Sequence, residues 1–200
     1  MEIFSITAVL TIGLGVLAAI SLLLFFPLNT RRPHSVRMPG IERYIPFVPA
    51  FIVPYLALFP FVTATFFIVL LNTPVALRFY VSCIIAGIIA AVIWYFFPTG
   101  VGDRPKLTRR GVLTRIVAWT YAHDPRSNAI PSSHIYTTFL SSYYLTFLYP
   151  SHEILIWSIG STIMSSTLLV KQHYLIDLVA GFALACLSIG ASYLLLGTLA

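Results

Sequence analysis

Residues 77–97 read LRFYVSCIIAGIIAAVIWYFF, twenty-one positions with a single charge, Arg78. About 20 predominantly apolar residues carry a helix across the hydrocarbon core of a bilayer, so this stretch predicts a transmembrane helix. Working outward, the same ruler marks spans at roughly 3–26, 47–71, 133–149, 153–171 and 174–198, about six in all. The composition agrees, with 58% of the residues hydrophobic and 9% charged. A soluble domain carries about 25% charged residues. With so few charges a water-facing surface cannot be built, and the surrounding solvent must be largely lipid. The expected fold is all-α: a polytopic membrane bundle of about six helices with interfacial segments, forming one domain over residues 1–200.

The first span reads as a retained helix. It starts with an acidic residue, Glu2, and its apolar run to Phe26 is longer than the roughly 7–15 residues of a signal peptide. The second span holds Pro49, Pro54 and Pro60 and should be kinked or broken. Very little separates the last two, around Lys171 and Gln172, which forces a tight turn between antiparallel neighbours. Cys83 and Cys186 fall inside apolar runs and read as small buried hydrophobes.

Residues 28–46 and 98–132 are long enough to lie on the membrane surface. In the second of these, Val112, Leu113, Ile116 and Val117 recur at helical spacing beside Arg109, Arg110 and Arg115. An amphipathic interfacial helix and a solvated basic loop both fit that pattern. Successive loops alternate sides, and eleven of the twelve basic residues then share one face, Arg78 alone lying opposite. The positive-inside rule puts the basic face in the cytoplasm. The net charge of +6 suits anionic headgroups or phosphate rather than nucleic acid.

The chemistry gathers at span ends on that face. His173 and Asp177 lie four apart, on one side of a helix. The carboxylate can hold one imidazole nitrogen and leave the other free to attack. A structural polar pair between helices fits the same spacing. Pro131-Ser132-Ser133-His134 opens the fourth span. Hydroxyls and free backbone N–H groups at a helix start suit an anion, and His134 stands where a proton donor is needed. A serine-rich cap with an interfacial histidine is the plainer reading. Arg104-Pro105 can pair with phosphate or simply flank the membrane. The acids near these motifs, Asp103, Asp124 and Asp177, are too dispersed for a magnesium cage, so no metal is expected.

In this order the pieces resemble the type 2 phosphatidic acid phosphatase superfamily, whose pattern is K-x6-R-P, then P-S-G-H, then S-R-x5-H-x3-D. Arg104-Pro105, Pro131, Ser132, His134, Ser166, His173 and Asp177 match. Phe97 stands at the lysine position, Ser133 at the glycine and Thr167 at the arginine. Asp124-x3-Asn128-x2-Pro131-Ser132, Lys171-Gln172-His173-Tyr174 and Ile45-Pro46-Phe47-Val48-Pro49 resemble a divergent branch, similar to inositol-phosphorylceramide-synthase-like and sphingomyelin-synthase-like members.

The resemblance implies a six-helix bundle and a cofactor-free mechanism. His173 would attack phosphorus, Asp177 would orient it, and His134 would protonate the departing alcohol. Arg104, Ser132, Ser133 and a cation near Thr167 would hold the phosphate. Lys171, four residues beyond Thr167, is the expected substitute for the missing arginine. Asp124, Arg126, Asn128 and Ser166 are supporting candidates. The expected substrate is a phosphorylated lipid in the bilayer, cleaved by a lipid phosphatase. A lipid phosphotransferase and, from another class, a small transporter or structural membrane protein are the competing readings. Most of the resembled family faces away from the cytoplasm, against the charge bias.

Overall fold

The computed structural model describes residues 2–30, 33–36, 40–102, 104–107, 111–124 and 128–197. Nine α-helices dominate these residues. They are α1 (Glu2–Leu23), α2 (Phe25–Leu28), α3 (Ile52–Leu56), α4 (Leu58–Ile68), α5 (Thr73–Phe96), α6 (Val112–His123), α7 (Ser133–Leu148), α8 (Glu153–Leu169) and α9 (Leu175–Leu196).

Four helical stretches are long and apolar enough to cross a membrane: Thr7–Leu28, Pro49–Leu71, Thr73–Phe96 and Leu175–Leu196. The chain thus has membrane-protein character. The other two expected spans are helical but shorter. α7 has 16 residues and carries Thr137, Thr138, Ser141 and Ser142, and α8 has 17. At 1.5 Å per residue they reach about 24–26 Å, against about 30 Å of hydrocarbon.

The proline-rich span is broken as its sequence predicts. A 3-10 turn at Pro49–Phe51 leads into α3, and α3 stops one residue before α4. Pro60 has no N–H for the Leu56 carbonyl, which removes one of the rungs that would join the two helices. α5 starts four residues before the expected boundary. Asn72 caps it through the Val75 amide at 3.2 Å, and Pro74 suits its first turn.

α5 packs against α1, α7 and α9, and α7 in turn packs on α4, α8 and α9. Small residues permit the close approaches. A Cβ at Gly87 would lie 2.8 Å from Ser21 Cβ on α1. Buried Phe79, Tyr80, Trp94, Tyr136 and Tyr144 fill the space between helices. The Tyr144 hydroxyl, buried in this apolar core, pairs with Ser82 at 2.9 Å and Ser192 at 3.0 Å, tying α5, α7 and α9 together. Cys83 is buried, but Cys186 is exposed on the outer side of α9, so only one of the two cysteines is a core residue.

The first, third and fifth loops join at one end of the bundle. β1 (His34–Val36) pairs in parallel with β2 (Thr99–Val101), and Thr99 also bridges Asn128. Strands of three residues leave no readable period, so the sequence pattern does not announce them. The 112–117 stripe lies in helix α6. Val117 is buried there against Ile52, Tyr55 and Val170, while Arg115 and Trp119 face outward. At the opposite end Arg78 closes α9, donating to the carbonyls of Leu196 at 3.2 Å and Gly197 at 2.8 Å.

Candidate active site

The end of α8 and the start of α9 form one continuous backbone device. The Gln172 amide donates to the Thr167 carbonyl at 2.9 Å and the Lys171 amide to Leu168 at 3.0 Å, which is a Schellman termination. Lys171 occupies its left-handed position, with φ +54°. The chain reverses there and delivers His173 to the mouth of α9.

His173 Nδ1 lies 3.1 Å from Asp177 Oδ2. The same oxygen accepts the Tyr174 amide at 2.9 Å, fixing the carboxylate across the first turn of the helix. A carboxylate accepts, so Nδ1 carries the proton, and in the neutral ring Nε2 is the nitrogen with the free lone pair. Both side chains are buried, Asp177 at 1% exposure and His173 at 8%.

The α7 motif is brought to this pair through glycine. A Cβ at Gly181, one turn beyond Asp177, would lie 2.8 Å from Ile135 Cβ and 2.9 Å from the Ser132 carbonyl. The Ser132 amide donates to the Asp177 carbonyl at 3.3 Å. The two imidazoles then lie 6.0 Å apart between centroids, inclined by 57°. Tyr55 of α3 stacks on His134 at 4.2 Å. Neither His134 nitrogen has a hydrogen-bond partner among the described residues, although the side chain is buried.

His134 and His173 line a cavity with about 310 Å³ of empty space, including its open mouth. Its polar wall is Asn29, Arg104, Asp124, Asn128 and Gln172. Arg104 donates to Asp124 Oδ2 at 2.8 Å, to Gln172 Oε1 and to the Tyr121 carbonyl at 3.3 Å, and it lies over the Tyr121 ring at 4.5 Å. Asn29 donates to the other Asp124 oxygen at 2.8 Å.

The remaining candidates fall into three groups. Ser132 sits at the α7 N-cap with its hydroxyl buried and without a partner among the described residues, and Ser133 begins the helix. Ser166 and Thr167 turn their hydroxyls back onto their own helix, at 2.5 Å to Ile163 and 2.7 Å to Met164. Arg126 lies outside the described residues, as do Asp103, Arg109 and Arg110.

Lys171 does not continue the Thr167 stripe, because α8 ends at Leu169 and the left-handed residue breaks the periodicity. Its ammonium binds the carbonyls of Ile45 at 2.5 Å and Glu42 at 3.2 Å instead of lining the cavity. Burial pushes its pKa down, partly offset by the Glu42 charge. Asn29, Tyr55 and Gln172 are cavity residues to which motif reading gave no role. Of these only Gln172 carried a signal, its place directly before His173.

No protein-family model, curated protein or solved structure matches this chain.

Proposed function

We propose that this protein is a membrane lipid phosphatase of the type 2 phosphatidic acid phosphatase kind, cleaving a lipid phosphomonoester or pyrophosphate through phosphohistidine. The observation that carries the reading is the convergence on one cavity of an Asp-held imidazole, a second imidazole with both nitrogens unpartnered among the described residues, and a guanidinium. In this reading α7 and α8 also cross the bilayer, giving six spans, and the site opens at the basic end of the bundle.

The reaction uses the chain's own groups. His173 Nε2 attacks phosphorus, the bond from phosphorus to the lipid oxygen breaks, and His134 passes a proton to that oxygen. Water then attacks the phosphohistidine. Its proton goes to His134, the P–N bond breaks, and inorganic phosphate leaves. Asp177 stabilises the charge that develops on the His173 ring, and Arg104 supplies positive charge at the phosphate.

The test is phosphate release over a panel of phospholipids and isoprenoid phosphates, with the purified protein and its His173→Ala variant. Release by the former and none by the latter supports the reading. Equal release by both, or none from any lipid, overturns it.

A further inference from the structure

Two amide side chains in the cavity wall have their orientation fixed by partners that can act in only one way. Asn128 donates through Nδ2 to the Phe25 carbonyl at 2.8 Å. A carbonyl only accepts, so the opposite atom of the amide must be the oxygen. That Oδ1 is buried and has no partner among the described residues, and the whole residue is 3% exposed. Gln172 is fixed in the reverse sense. Arg104 only donates, so Gln172 turns Oε1 toward it and leaves Nε2 as a buried donor without a partner among the described residues.

A phosphate group has acceptor oxygens and, when ionised, nothing to donate. It satisfies Gln172 Nε2 and the guanidinium, but it leaves Asn128 Oδ1 unmet. A buried acceptor left unpaired is costly. What answers it is a donor held beside the phosphate within the same cavity. A hydroxyl is the smallest such group, and its oxygen can also accept from a neighbouring donor.

We propose that Asn128 Oδ1 is a hydroxyl-recognition element, so that this site selects a phosphate ester accompanied by an alcohol group and not a bare alkyl or isoprenoid phosphate. The inference rests on the phosphatase reading of the cavity and names the headgroup class it takes. The alcohol has two possible sources. It is either a hydroxyl of the lipid itself, one or two carbons from the phosphate, or a separate alcohol that takes the phospho group in place of water. In the second case the alcohol oxygen attacks the phosphohistidine, the P–N bond breaks, and the alcohol proton goes to His134.

The experiment uses a matched pair of single-chain lipids, 1-acylglycerol 3-phosphate and its 2-deoxy analogue, an acylpropanediol phosphate. Binding is measured with the His173→Ala protein in micelles, and kcat/KM with the unmodified protein. A direct hydroxyl contact predicts about tenfold tighter binding of the hydroxylated lipid, a loss of roughly the size of one buried hydrogen bond in the deoxy lipid. Asn128→Ala should erase that preference, so that the variant binds the two lipids alike, and an unchanged far-ultraviolet circular dichroism spectrum shows that the variant still folds.

If the lipids bind alike, glycerol is added to the deoxy lipid. Glycerol phosphate formed by the unmodified protein, and not by Asn128→Ala, assigns the hydroxyl to a second alcohol and supports the inference. Equal binding without glycerol phosphate overturns it. A clear binding preference without any phosphate release sustains the hydroxyl site and removes the phosphatase reading. Phosphate release with equal binding and turnover of both lipids and no glycerol phosphate does the opposite, and failure to bind either removes both.

Discussion

Glu42 accepts a hydrogen bond from the Leu175 amide at 2.6 Å, joining residues 133 positions apart. Leu175 is the first residue of α9, whose free N–H groups attract negative charge. The same short segment receives the Lys171 ammonium on the carbonyls of Ile45 and Glu42. The loop after the first span therefore grips the turn that carries His173 from both sides.

That grip predicts an ordered series at position 171. Lys171→Met loses both ammonium contacts and keeps the left-handed backbone, which costs a side-chain-bearing residue about 1 kcal/mol or more. Lys171→Gly loses the same contacts but relieves the backbone. Lys171→Met should show the lower Tm, and both should lower kcat more than they raise KM. A Tm for glycine below that for methionine would refute the backbone argument. A KM effect alone would return Lys171 to the phosphate.

Glu42→Ala removes a cap from α9 and should cost about 1 kcal/mol of stability. Glu42→Gln keeps the accepting oxygen and should recover most of it. Faster amide hydrogen exchange across residues 173–178 in the alanine variant, measured by mass spectrometry, reports the loosened turn whether or not turnover is observed. Unchanged exchange would mean the contact holds nothing.

His173→Ala should abolish phosphate release while leaving the far-ultraviolet circular dichroism intact. Brief incubation of the unmodified protein with labelled substrate should trap an acid-labile phospho-enzyme. Label that survives acid would point to an ester on another side chain.

Gly181→Ala forces a methyl group against Ile135 and the Ser132 carbonyl, at 2.8 and 2.9 Å before any adjustment. Overpacking of this kind costs about 1–3 kcal/mol, and here it also pushes Ser132 and His134 away from Asp177. Lower Tm and lower kcat are expected together. Gly190 has nothing within 4 Å of its would-be Cβ, so Gly190→Ala on the same helix should be neutral or slightly stabilising. Equal effects at both positions would show that the contact does not matter.

Sidedness is predicted from charge. With Cys186 replaced by serine and Arg115, exposed on α6, replaced by cysteine, an impermeant thiol reagent should label only broken cells. Labelling of intact cells would put the site outside, as in most of the resembled family.

The sequence pattern alone was enough for features that repeat or lie close along the chain. Apolar length marks the helices and the prolines break the second span. His173 does meet Asp177, but from the turn before α9 and not from a shared helix face. The mismatches arose where local reasoning was extended too far. The helical stripe was carried through Lys171, past a helix end set by a left-handed residue that is not glycine.

Only the folded chain decides which distant groups meet. The Arg104–Asp124–Asn29 cluster, the stacking of Tyr55 on His134, the remote cap from Glu42 and the bond from Asn128 to the Phe25 carbonyl join residues from separate loops and helices. No periodicity records such contacts. They depend on how closely α7 and α9 approach at Gly181 and on three loops sharing one end of the bundle. Helix formation is a local matter of hydrophobic length and backbone bonding. The site's polar pairing is settled by tertiary packing, because a buried polar group must find whatever partner the fold brings to it.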